Sequence, residues 1–259
     1  MMRFIVADKQ MNLQKQGVME VLRLITVTSS TMIALLLSGN GLSALAAPQQ
    51  PGNSGRTFAD WCREKASLSP EAKHTVEVLL KQAGTTECDA ANQKLSSLTE
   101  LNLGGNQISD IKPLQSLTNL TYLFLGFNKI SDIKPLQGMT KLTLLHLSNN
   151  KISDIQPLQS LTNLDGLNLR FNEISDIKPL ESLTKLTLLL VESNQVSDIK
   201  PLQSLTKVTY LNLSDNQISD LKPLQGMTSL TALFLGGNPI APKTCPLKPE
   251  SICKWEPWN

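Results

Sequence analysis

Leu120-Thr121-Tyr122-Leu123-Phe124-Leu125-Gly126-Phe127-Asn128 decides the fold, because its pattern stands in the chain seven times. Asparagine recurs at 106, 128, 150, 172, 194, 216 and 238, a constant step of 22 residues. Three aliphatic residues precede each Asn at offsets −8, −5 and −3, from Leu98, Leu101 and Leu103 in the first unit to Leu230, Leu233 and Leu235 in the last. Ile or Val follows each Asn by two positions. Residues −5 and −3 are two apart, so a strand sends both to one face, while −6, −4 and −2 face the other way. Units of this kind bury their apolar faces by stacking on their neighbours.

L-x-x-L-x-L-x-x-N-x-I is the leucine-rich repeat pattern, and it predicts an α/β repeat solenoid. The expected form is a horseshoe with a parallel sheet on the concave side, 3-10 or irregular structure on the convex side and an N-terminal helical cap. The return leg is nearly constant, S-D-I-K-P-L-Q-S-L-T in the first unit. Its proline (113, 135, 157, 179, 201, 223) forbids a long helix and favours a short 3-10 turn. Asp110, Asp132, Asp154, Asp176, Asp198 and Asp220 suit caps of that turn. A calcium ladder on these carboxylates is not expected, since Lys, or Gln156 in one unit, follows each by two positions. Asn106, Asn128, Asn150, Asn172, Asn194, Asn216 and Asn238 are expected to form a structural ladder. A buried amide offers two donors and an acceptor for the backbone of its own and the adjacent unit.

The flanks read differently. Residues 24–55 carry no charge and pass through Met32-Ile33-Ala34-Leu35-Leu36-Leu37 to Ala44-Leu45-Ala46. This is the pattern of a secretory signal peptide cleaved near Ala46, with Met19 as an alternative start and an uncleaved anchor helix as the alternative reading. The expected organisation is a signal peptide over 1–46, a flexible leader over 47–57, a helical cap over 58–97, the array over 98–240 and a C-terminal cap over 241–259. Ser69-Pro70-Glu71 starts a helix and Gly84 ends it, giving an amphipathic helix over 70–83 that covers the open first repeat. His74 lies off its apolar face and is expected in solvent. Cys62 and Cys88 bracket this helix, whereas Cys245 and Cys253 lie beyond the last repeat. Six strand spacings of about 4.8 Å place the two pairs roughly 29 Å apart, while a disulfide spans at most about 7 Å between Cα atoms. The expected bridges are therefore Cys62–Cys88 and Cys245–Cys253, in an oxidising compartment.

The 22-residue period, the S-D-I-K-P-L return and the N-terminal helix resemble the repeat domain of bacterial internalin-type surface proteins. The resemblance covers 98–240 fully and 58–97 in outline. It implies a curved solenoid that grips a protein ligand on its concave sheet. After Asn238 come 21 residues without an immunoglobulin-like domain or an L-P-x-T-G signal, so covalent wall attachment is not expected. The intracellular phosphatase-regulating proteins share the period, but a signal peptide and paired cysteines do not fit them.

All six aromatics of the array (Tyr122, Phe124, Phe127, Phe171, Tyr210 and Phe234) fall at −6, −4 or −1, and none falls in the core set. Aromatic anchors dominate protein interfaces, so these positions are the candidate ligand surface. The candidate partner-binding residues are Tyr122, Phe124, Phe127, Leu144, His146, Arg170, Phe171, Leu188, Leu190, Glu192, Tyr210, Asn212 and Phe234. Arg170 and Glu192 share a column and are expected to pair on a solvated sheet, worth under about 1 kcal/mol. His146 has Phe124 and Asn168 beside it in its column, neither a base nor a nucleophile, and no phosphate loop or metalloprotease motif occurs. No catalysis, cofactor or metal is expected. Of 24 basic and 22 acidic residues, four and two lie within 1–46, so the remainder carries 20 of each. That balance does not favour nucleic acid or anionic lipid as a partner. The expected protein is an exported monomer, periplasmic, surface-bound or extracellular, without membrane insertion after cleavage, that binds a protein or peptide. The alternatives are a structural or adhesive protein that binds polysaccharide or self-associates, and an intracellular regulator.

Overall fold

A computed structural model describes residues 55–256. The expected signal peptide and most of the leader lie outside the described residues. Each repeat contributes one three-residue strand. These are β1 (Glu100–Asn102), β2 (Tyr122–Phe124), β3 (Leu144–His146), β4 (Gly166–Asn168), β5 (Leu188–Leu190), β6 (Tyr210–Asn212) and β7 (Ala232–Phe234). They pair in parallel in strict sequence order, each residue opposite the one 22 positions on. An eighth strand, β8 (Cys253–Lys254), extends the sheet from the tail and was not foreseen.

The residues at −5 and −3 are buried in every unit, as are the return-leg aliphatics from Ile111 and Leu114 to Leu221 and Leu224. Each return leg holds a 3-10 turn with proline at its second position, beginning at residue 112, 134, 156, 178, 200 or 222. Oδ1 of the preceding Asp accepts the N–H of the turn's first residue at 2.8–2.9 Å in all six. The carboxylates thus serve the backbone, as their spacing predicted.

The Asn ladder is fully wired inside the array. Asn172 Nδ2 donates to Leu147 O at 3.0 Å, Leu169 O at 3.0 Å and Arg170 O at 3.2 Å, and its Oδ1 accepts from Ile152 N at 3.0 Å. Asn128, Asn150, Asn194, Asn216 and Asn238 repeat this arrangement. Asn106 is the end member: its amide donates only to Gly104 O at 3.1 Å among the described residues.

Three helices close the first repeat: α1 (Phe58–Arg63), α2 (Pro70–Ala83) and α3 (Cys88–Ser97). α2 has the predicted bounds. Ser69 caps it by accepting from Ala72 N at 3.2 Å, and Gly84 ends it at φ 68°. α1 and α3 carry weaker periodicity and were not anticipated individually. α2 docks through polar contacts as well as its apolar face. His74 Nε2 lies 2.7 Å from Asn106 O, and Thr75 Oγ1 donates to Asp110 O at 2.6 Å. His74 is therefore half-buried against the first repeat, not in solvent, because the first repeat has no preceding unit to occupy its backbone carbonyls. The disulfides Cys62–Cys88 and Cys245–Cys253 form as expected, the first joining α1 to α3 and the second anchoring β8.

Candidate ligand surface

Strand register sets two straight columns on the concave face. Position −6 carries Glu100, Tyr122, Leu144, Gly166, Leu188, Tyr210 and Ala232. Position −4 carries Asn102, Phe124, His146, Asn168, Leu190, Asn212 and Phe234, with Lys254 beyond. Parallel strands lie about 4.8 Å apart, so long side chains in a column cover their neighbours. Phe124 meets His146 edge-on at 6.3 Å within the −4 column, and Tyr210 reaches diagonally from the −6 column onto Phe234, with ring centroids 5.2 Å apart. Phe124, Leu144, His146, Leu188, Tyr210 and Phe234 are consequently half-buried.

Four of the predicted ligand residues are buried outright: Arg170, Leu190, Glu192 and Asn212. The expectation of a solvated ion pair is corrected. Arg170 Nε and Glu192 Oε2 are 2.6 Å apart, with side chains only 11% and 5% exposed. Asn212 Nδ2 donates to the same Glu192 oxygen at 2.9 Å, and Asn212 Oδ1 accepts from Ser214 N at 3.0 Å. Burial pushes the Glu192 carboxyl above its ordinary pKa, against the opposing pull of the Arg170 guanidinium. Sequence placed the pair correctly but could not give its depth. The other asparagines of this column are likewise engaged: Asn102 and Asn168 accept from Gly104 N and Arg170 N at 3.0 and 3.1 Å.

His146 Nε2 lies 2.7 Å from Ser148 Oγ, a partner the sequence reading did not single out. The imidazole lies over Gly126, where a Cβ would come within 3.1 Å of Nε2, so a larger residue there would press the ring outward. Burial first, then Arg170, pulls the His146 pKa down to about 4. Such an imidazole is neutral at pH 7 and too weak a base to activate Ser148 well.

Position −1 follows a different rule. Gly105, Phe127, Asn149, Phe171, Ser193, Asp215 and Gly237 all take left-handed backbone, with φ between 54° and 72°. The inter-strand ladder nevertheless continues through them, from Gly105 N to Gly126 O at 3.0 Å up to Asp215 N to Gly236 O at 2.7 Å. Two glycines, an Asn and an Asp among seven residues were a legible signal for this geometry. Phe127 and Phe171 obey no such preference, since bulky residues there are outliers. Both remain exposed, at 43% and 38%, and with Tyr122 at 37% they are the exposed large hydrophobics among the described residues. The Arg170 guanidinium lies over the Phe171 ring, 5.2 Å from its centroid.

A single parallel sheet of 22-residue units, closed by helices and wired by an Asn ladder, defines a leucine-rich repeat solenoid. The Leucine Rich repeats (2 copies) family model matches residues 96–138, 140–182, 162–205 and 206–248. The chain belongs to the leucine-rich repeat family, and within it to the bacterial internalin type. An internalin (inlF) from Listeria monocytogenes is 42% identical over 65% of this chain and 50% of its own, with a TM-score of 0.60. This chain thus spans half the length of that protein. Internalin C2 (inlC2) from the same organism is 30% identical over 73% of this chain and 93% of its own, with a TM-score of 0.62. A plant peptide hormone receptor, RGFR1 in complex with RGF2, is 26% identical over 58% of this chain and 26% of its own, with a TM-score of 0.51. A search of curated proteins gave no match.

Proposed function

We propose that this chain is an exported, non-catalytic interaction module that holds a protein or peptide ligand on its concave sheet and the rim beside it. One observation carries the reading: the large exposed hydrophobics among the described residues, Tyr122, Phe127 and Phe171, all lie on that sheet or its −1 rim. Two of them stay exposed on backbone that disfavours them, costing on the order of 1–2 kcal/mol each without core burial in return. Export is supported by the two disulfides and by the uncharged stretch over 24–55. A peptide ligand accords with the peptide-hormone complex formed by one structural relative. Asn212, the asparagine nearest the buried ion pair, is engaged at both ends of its amide, and the carbonyl oxygens of Asn102 and Asn168 already accept from backbone, so less of this column is open to a glycan than its composition suggests.

The test is capture from a surface-protein extract of the producing organism by the full chain. Phe127→Asn/Phe171→Asn should abolish capture, whereas Lys134→Ala/Lys178→Ala on the convex side should spare it. The reversed result would move the ligand to the convex face.

A further inference from the structure

The −1 rim has a rhythm of two repeats. Its second, fourth and sixth members are Phe127, Phe171 and Asp215, all exposed. Asn149 and Ser193, between them, are small and half-buried. All five share one backbone conformation and one unbroken inter-strand ladder, so the spacing along the rim is uniform. Two parallel strand spacings make about 9.6 Å. The rim thus presents aromatic, aromatic and carboxylate at steps of about that length.

A ligand that engages all three needs side chains on one face at the same interval. A polyproline II helix turns once in three residues and rises about 9.3 Å in doing so. Over two steps it drifts from the rim by only about 0.6 Å. An α-helix returns to one face after seven residues, about 10.5 Å, and drifts by nearly 2 Å over the same span. A β-strand presents one face every two residues, about 6.7 Å, and a three-residue step puts its side chains on opposite faces. Aromatic surfaces are the usual partners of proline-rich segments, whose stiffness spares ordering entropy on binding. The Arg170 guanidinium lies against one side of the Phe171 ring, 5.2 Å from its centroid. Asp215 is the charged member of the row, which asks for a cation at the third step. Resting on the concave-face reading above, we infer that this rim binds a proline-rich segment in polyproline II form, of the pattern P-x-x-P-x-x-R or P-x-x-P-x-x-K.

The probe is a fluorescein-labelled peptide, P-P-P-P-P-P-R-P-P, titrated against the full chain by fluorescence anisotropy. The comparison peptides are a Gly/Ser peptide of the same length and charge and an alanine-based helical peptide carrying the same Arg. The proline peptide should bind at least tenfold more tightly than either. Phe127→Asn and Phe171→Asn place at these positions the residue that the third repeat already uses there, so the fold is kept. Each should weaken the proline peptide by about 30-fold, the effect of losing an aromatic anchor. Asp215→Asn should weaken it about threefold at low salt and leave a variant peptide with Gln in place of Arg unaffected. Failure of the proline peptide to bind, or equal binding of the Gly/Ser or helical peptide, overturns the polyproline assignment. The concave-face reading survives that result if capture from extract still depends on Phe127 and Phe171. Peptide binding and capture that both ignore these phenylalanines would overturn the two together.

Discussion

Replacing Asn172 by Ala removes four hydrogen bonds, but they do not count equally. Leu147 O also accepts from Asn150 Nδ2 at 3.0 Å, and Leu169 O also accepts from Asn194 Nδ2 at 3.0 Å. Both carbonyls therefore keep a partner when Asn172 is lost. The N–H of Ile152 does not, because Asn172 Oδ1 is its acceptor in a fully buried setting. One orphaned buried donor costs about 1–3 kcal/mol, so the expected loss is about 2 kcal/mol. For a domain of this size that lowers Tm by roughly 4–8 °C. Asn106→Ala is the internal control: with a single side-chain bond among the described residues, to Gly104 O, it should cost under about 1 kcal/mol. Urea unfolding followed by circular dichroism, with m compared between variants, separates the two. Equal losses at both positions would refute the argument that the ladder's strength lies in the amide oxygen that accepts an N–H of the preceding unit.

Phe127→Asn should raise stability by about 1 kcal/mol, since Asn tolerates the left-handed backbone, and a lower urea midpoint would count against strain at that position. His146, held near pKa 4, should make the protein lose stability as pH falls from 6.5 towards 4, because the unfolded chain takes up the proton first. His146→Gln should remove that slope, and unfolding curves at pH 7.5 and 5 that shift equally in both proteins would contradict it. Cys245→Ser/Cys253→Ser should free β8, and hydrogen exchange should report it at Leu235 N–H, which donates to Lys254 O at 2.8 Å. Continued full protection there would show that β8 holds without its disulfide. Glu192→Ala breaks a buried pair and should cost about 3–5 kcal/mol, read by the same unfolding assay, whereas exposed Asp215→Asn should cost almost nothing.

The repeat was legible because each unit restates it. Step, inward residues, Asp-capped turns, Asn ladder and disulfides all follow from residue types at fixed spacing. What the sequence hid was depth. Arg170 and Glu192 read as surface charges by composition, whereas in the fold both are buried and Asn212 of the next unit donates to the carboxylate. His74 read as solvent-facing from its own helix, because its partner, Asn106 O, belongs to another element. β8 was invisible for a related reason: Cys253-Lys254 carries no strand pattern and is held by Cys245 and by the open edge of β7.

Depth also separates what shapes the surface from what touches a ligand. Much of the −4 column is tied up in contacts within the sheet: Phe234 against Tyr210 of the −6 column, Phe124 against His146, and the Asn212 amide on the Glu192 carboxylate. Side chains engaged in this way lose contacts when a ligand draws them out, so they fix the curvature and polarity of the trough. The −1 rim is different. Its conformation is imposed by the ladder in every unit, whichever residue occupies it. A side chain there can be exchanged without disturbing the core, and the chain uses that freedom to place two phenylalanines where glycine or asparagine would be more stable. Stability and exposure pull in opposite directions at Phe127 and Phe171, and the chain has kept exposure. Substitutions at these two sites should therefore divide the properties cleanly, raising the melting temperature as they lower affinity, while substitutions at Arg170 or Glu192 should lower both.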